Sequence, residues 1–215
     1  MPLDKIENKT LRQKVYEEFS ESIINGGFLP GQKFSLKELA EKMGVSIMPV
    51  REALWQLESE KVVIIENNKR MFINTLNQSE LKQLYKVRLF LETELAEKAF
   101  DKNDNNLISQ LQEICDEMLT KDTDPKAYLK LNKRFHFSIY RAADNPIYLD
   151  IVKNLWLREA PYFIIQNASH DYKVQIERHF NILQAFTDGN KKELKKALKK
   201  DLIEALREIN LEVES

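Results

Sequence analysis

Apolar residues recur along most of this chain at helical spacing. In the stretch "SIMPVREALWQLE", Val50, Ala53, Leu54 and Leu57 stand at i, i+3, i+4 and i+7, which places them on one face of a helix. The pattern changes in "KVVIIENNKRMFIN", where two apolar runs, Val62 to Ile65 and Met71 to Ile73, flank a polar, basic turn and predict two short strands. Upstream, "LRQKVYEEFSESIIN" reads as a helix, "GGFLPGQKF" as a connection and "SLKELAEKM" as a short helix ended by Gly44. From Gln78 onward the helical period returns. It predicts six helices, over 78–100, 104–121, 125–143, 146–168, 171–187 and 190–212, with Pro125 and Pro146 at helix starts and Gly189 at a helix end.

Two short helices joined by a glycine turn, the second followed by a hairpin, make a winged helix-turn-helix. Gly26, Gly27, Gly31 and Gly44 all precede the long helices, so turns belong to the front of the chain. Asn74 to Ser79 is the best linker. The expected architecture is mainly α: a winged helix-turn-helix over 1–75 and an all-α bundle over 76–215.

Composition narrows the function. A chain of 215 residues can bury two modest cores, and a formal net charge of −1 offers no global attraction to a polyanion. Any affinity for nucleic acid must come from local clustering. The start "MPLDKIENKT" has no apolar run of signal-peptide length and no later stretch approaches a membrane span, which predicts a cytoplasmic chain with no membrane partner. The lone Cys115 sits in a helical pattern as a packed thiol, and "KKELKKALKK" reads as a solvated helix face.

The helix beginning near Ser46 carries Pro49 and Arg51 in its first turn. The helix dipole disfavours a cation there, so Arg51 needs an anion to meet. In a winged helix-turn-helix this turn enters the major groove of double-stranded DNA. Ser46 then caps the helix, Pro49 tolerates its early position, and Arg51 with the exposed N–H groups meets phosphate. Lys69 and Arg70 at the ribbon tip add charge to the same face.

In the helical half, polar residues fall on apolar faces. Asn132 and His136 align with Leu129, Ile139 and Tyr140; His179 with Ile176, Ile182 and Phe186; Asp201 with Leu194, Leu198 and Leu202; Arg88 with Leu81, Leu84 and Leu91. Buried charge is costly unless paired. Arg88 has two candidate internal partners, Glu92 and Asp201, or else a ligand. His170, near a helix start, reads as a surface residue.

The segments "LPGQKF", "LAEKMGVS" and "PVREALWQLE" resemble the DNA-binding domain of GntR-family transcription regulators. "VRLFLETELAEKAF", "LNKRFHFSIYRAADNPI" and "ERHFNILQAFTDGN" resemble the helical effector domain of the FadR-type subfamily. The resemblance implies a homodimer on an operator, with Lys37 on phosphate and Ser46 and Arg51 in the recognition helix. Ile47 and Met48 depart from the family's common "SRTP", whose arginine reads guanine; an aliphatic pair packs instead on a thymine methyl. Arg70 replaces a frequent wing glycine, which points to a cation reaching the minor groove. The resemblance also implies a divalent metal held by Asn132, His136 and His179, with Asp201 where a third histidine is expected. Such a set suits Zn²⁺, Ni²⁺ or Mn²⁺. A small carboxylate effector bound by the metal and Arg88 would reset the spacing of two DNA-binding domains. The alternative is a metal-dependent hydrolase using the two histidines and Asp201.

Overall fold

The structure, a computed structural model, describes residues 10–66, 70–102, 104–121, 124–167 and 172–213, with side chains for all of these except 164–167 and 210–213. Lys69 and His170 lie outside the described residues. The front of the chain forms α1 (Leu11–Ile24), β1 (Lys33–Phe34), α2 (Leu36–Met43), α3 (Ile47–Ser59), β2 (Val63–Glu66) and β3 (Arg70–Ile73). Val50, Ala53, Leu54 and Leu57 are all buried, as their spacing requires, against Val15, Phe19 and Ile23 of α1. Phe19, Phe28 and Phe34 meet edge to face at 4.9, 5.4 and 5.9 Å, which ties the connection after α1 to the core.

Local chemistry sets the turn between α2 and α3. The Ser35 hydroxyl accepts from the Glu38 N–H and the Glu38 carboxylate accepts from the Ser35 N–H, a reciprocal cap on α2. Gly44 ends the helix at φ 64, where a side chain would be strained. The predicted two-stranded ribbon has a third member. β1 pairs antiparallel with β3, giving the order β1-β3-β2. Two residues carry no alternation to read, so the sequence hid this strand inside the connection.

Six helices follow: α4 (Gln78–Asp101), α5 (Asn105–Thr120), α6 (Pro125–Ala142), α7 (Pro146–Asn167), α8 (Lys173–Thr187) and α9 (Lys191–Val213). Each lies where the apolar period placed it. α4 packs on α6, α7 and α9, and α8 packs on α5 and α9, so the six helices join in one bundle. Cys115 is buried on α5, and burial pushes its thiol up to about 12, consistent with a packed, neutral thiol. No helix among the described residues is long and apolar enough to cross a membrane.

The joint after β3 is not a loose tether. Leu76 is buried, and the Tyr162 hydroxyl on α7 accepts its N–H and donates to its carbonyl. α1 also rests on α7, Lys133 of α6 pairs with Glu21 of α1, and the Asn154 amide donates to the Glu60 carbonyl at 3.3 Å. Tyr162→Phe should therefore leave a buried N–H without a partner and lower unfolding stability by about 1–3 kcal/mol. Urea unfolding of the two proteins measures the difference.

Candidate DNA interface and effector cavity

The N-terminal turn of α3 is open to solvent. Ile47 and Met48 are 43% and 54% exposed, two apolar side chains at a helix start with nothing covering them. Ser46 is the N-cap residue, but its hydroxyl makes no bond to the helix, contrary to the expected cap. The reason is local: the third helical position is Pro49, which has no N–H to give. The hydroxyl is exposed and available to another acceptor or donor. Arg51 is exposed and lines a hollow of about 180 Å³ with Leu36 of α2, Trp55 of α3 and Ile65 of β2. Helix, turn and sheet therefore share this face. Lys37 is exposed and holds only a 3.8 Å pair with Glu41, which water screens. Arg70 is exposed at the start of β3, opposite Glu66.

In the bundle, Asn132 and His136 of α6 and Asp201 of α9 line one cavity of about 40 Å³, and His179 of α8 stands behind it against Asn132. His136 Nε2 lies 3.3 Å from Asp201 Oδ2, and His179 Nε2 lies 2.8 Å from Asn132 Oδ1. Candidate ligand atoms of His136, His179 and Asp201 fall within 4.8 Å of one another. Helix α8 fixes one imidazole. His179 Nδ1 donates to the Gln175 carbonyl at 2.7 Å, which leaves a lone pair on Nε2 while the ring is neutral. Burial, chiefly, lowers His179 to about 4, so the ring is neutral at pH 7. Its lone pair then faces the Asn132 oxygen, an arrangement that needs either a reversed amide or a cation between the two. Burial alone would raise Asp201, but the Nε2–H that His136 donates when its ring is protonated, the field of both imidazoles when charged, and Arg178 outweigh it and hold the carboxyl at about 2.

Arg88 also borders the cavity, and each of its guanidinium nitrogens donates to a carboxylate inside the bundle. Nε and Nη2 donate to Glu92 and Nη1 to Glu159, while the flat cation lies over the Tyr85 and Trp156 rings at 5.0 and 4.7 Å. Two buried carboxylates thus share its charge. Glu92 lies one turn away, as the sequence allowed, while Glu159 comes from α7.

The cavity's available cation is Arg178, which the sequence reading passed over. It is buried, Nη2 donates to Glu208 at 2.6 Å, Nε lies 3.8 Å from Asp201, and Nε and Nη1 have no hydrogen-bond partner. Gln175 Oε1, also lining the cavity, is buried without a donor. The signal was present: Gln175, Arg178, His179, Ile182 and Phe186 share one helical face.

Comparison with known proteins places this geometry. The model described as "Bacterial regulatory proteins, gntR family" matches residues 11–73, and that of the FCD domain matches residues 83–204. The chain is 25% identical over 159 residues to the HTH-type transcriptional regulator McbR of Escherichia coli (strain K12), covering 73% of this chain and 72% of that protein. It is 33% identical over 137 residues to the gluconate operon transcriptional repressor of Bacillus licheniformis, covering 62% of this chain and 55% of that one. The solved structure of E. coli McbR/YncC superposes with a TM-score of 0.89 at 22% identity, over 95% of this chain and 99% of that one, which shows a shared fold.

The lowered His179 generates a pH dependence. The unfolded chain takes up a proton near pH 6.5 that the folded chain refuses until about 4. The stability from keeping this ring neutral is whole above 6.5 and falls by about 3 kcal/mol as pH drops towards 4. Asp201 acts lower: its contribution is whole above 3.8 and lost as pH falls towards about 2. Urea unfolding in chelator between pH 7 and 4 should show the first loss, and His179→Gln should flatten it.

Proposed function

The chain belongs to the bacterial GntR family and is a transcription regulator with an FCD effector domain, not an enzyme; from that premise we propose that it is a homodimeric, ligand-responsive regulator whose helical cavity binds a divalent metal and a small anion. Nothing in the matched domains or relatives supports the hydrolase alternative.

One observation carries the effector reading. Four acceptor groups, two imidazole nitrogens, a carboxylate and an amide oxygen, are turned towards one another beside a buried arginine with unused N–H groups. Lone pairs so opposed favour a cation, and 3.3 Å between His136 and Asp201 is close to the ligand separation expected around tetrahedral Zn²⁺ with bonds of about 2.0 Å. Asn132, His136, His179 and Asp201 would hold the metal, which when bound supplies a Lewis-acidic contact for an anionic oxygen. Arg178, in the role first assigned to Arg88, offers two N–H groups to a carboxylate, and Gln175 Oε1 offers an acceptor to a donor on the same molecule.

On the DNA side, Ser46, Lys37 and Arg51 would bind backbone, while Ile47 and Met48 pack against base edges. A chain of net charge −1 gains from pairing two such faces. The face for a second copy is the exposed side of α4, where Phe90 is 62% exposed beside exposed Val87.

Three measurements test this. Elemental analysis and calorimetry with Zn²⁺ should give one metal per chain, lost in His136→Ala; a metal-free, non-binding wild type overturns the metal. With acetate as the minimal carboxylate probe on Zn-loaded protein, Arg178→Met should weaken binding at least tenfold while Arg88 stays with Glu92 and Glu159. Selection from random DNA should yield a palindrome that Arg51→Ala binds at least tenfold more weakly. Ile47→Arg should change one base per half-site rather than raise affinity uniformly.

A further inference from the structure

We infer that Tyr140, held by Glu92, is a positioning residue that decides which nitrogen His136 presents to the cavity; this rests on the metal reading above. Tyr140 has one hydroxyl proton, and it goes to Glu92. The carboxylate of Glu92 is held as an acceptor by two further donors, Trp156 Nε1 at 3.1 Å and the Arg88 guanidinium. The Tyr140 oxygen is thereby left to accept from His136 Nδ1, 3.1 Å away. A neutral ring that donates to Tyr140 carries its proton on Nδ1 and keeps its lone pair on Nε2, the nitrogen that lies beside Asp201.

The two imidazoles of the site are thus oriented by different means. His179 leans on the Gln175 carbonyl one turn back in its own helix, an acceptor that no side-chain substitution removes. His136 leans on a side-chain relay from α4, Glu92 to Tyr140, which couples the ring on α6 to the ion pair of Arg88. Hydrogen bonds on the far nitrogen fix the tautomer and direction of a metal-binding histidine, and their loss typically costs 10–100-fold in affinity. Asp201 is the rival acceptor for this ring; without the Tyr140 hydroxyl it would be the acceptor left, the Nε2–H tautomer would prevail, and a metal would have to displace that proton.

The test uses the full chain and the variants Tyr140→Phe and Tyr85→Phe, the second removing a buried tyrosine hydroxyl that donates to Glu159 rather than to Glu92. Long-range ¹⁵N–¹H spectra of metal-free protein should show neutral His136 as Nδ1–H in wild type and shifted to Nε2–H in Tyr140→Phe, with Tyr85→Phe leaving the tautomer unchanged. Zn²⁺ alone, titrated by calorimetry, should bind Tyr140→Phe about 10–100-fold more weakly and Tyr85→Phe within a few-fold of wild type. Wild-type His136 found as Nε2–H overturns the proposal without any variant. So does a folded Tyr140→Phe with wild-type tautomer and affinity, or a Tyr85→Phe that matches Tyr140→Phe, which would mark a packing effect. If wild type takes up no Zn²⁺, the metal reading fails, and the tautomer readout still decides the role of Tyr140.

Discussion

The bundle is organised around one constraint: Arg88 is buried, cut off from bulk solvent. A guanidinium in that position is tolerable only if its donors are met, and here they are met by Glu92 from the same helix and Glu159 from α7. Each carboxylate brings further obligations. Tyr85 donates to Glu159, and Tyr140 and Trp156 donate to Glu92. Satisfying one cation therefore fixes the relative placement of α4, α6 and α7, and the network continues through His136 to Asp201 on α9. Burial pushes the Glu159 carboxyl up, against the pull of Arg88, which shows how closely desolvation and pairing are matched here. The cavity is the open end of this network, where Arg178 and Gln175 keep buried polar atoms unmatched.

The helical half was legible because its elements are long and periodic. Leu81, Leu84, Leu91 and Leu95 mark the inner face of α4 over several turns, and Arg88 in their midst announces a buried charge. The same periodicity brought Asn132, His136, His179 and Asp201 to one point. What periodicity does not supply is who answers whom. Glu159 sits between Trp156 and Phe163 on a helix with no reason, in its own sequence, to meet Arg88 71 residues earlier. Only tertiary packing makes that pair, and once made it gives Arg88 a second buried carboxylate to answer. Arg178 was missed for a different reason. A histidine directly after it drew the reading, although the arginine shares the buried face. In the winged domain the failure was one of length, since a two-residue strand such as Lys33–Phe34 has no pattern of its own.

Helix α6 has two working sides. Asn132 and His136 line the cavity, while Lys133 reaches Glu21 and, with Phe137 and Arg141, borders the space of about 530 Å³ between the bundle and α1. A single helix thickness separates the polar cavity from the domain that carries the recognition helix. This bears on how such a protein can be recombined. A chimera that joins a foreign winged domain to this bundle at residue 75 would keep every cavity residue yet lose Glu21, the helical partner of Lys133. A protein built that way would keep the cavity and lose the ion pair that joins α6 to α1. The useful breakpoint carries α1 as well as the recognition helix, with the residues on α1 that face α6 grafted onto the incoming domain.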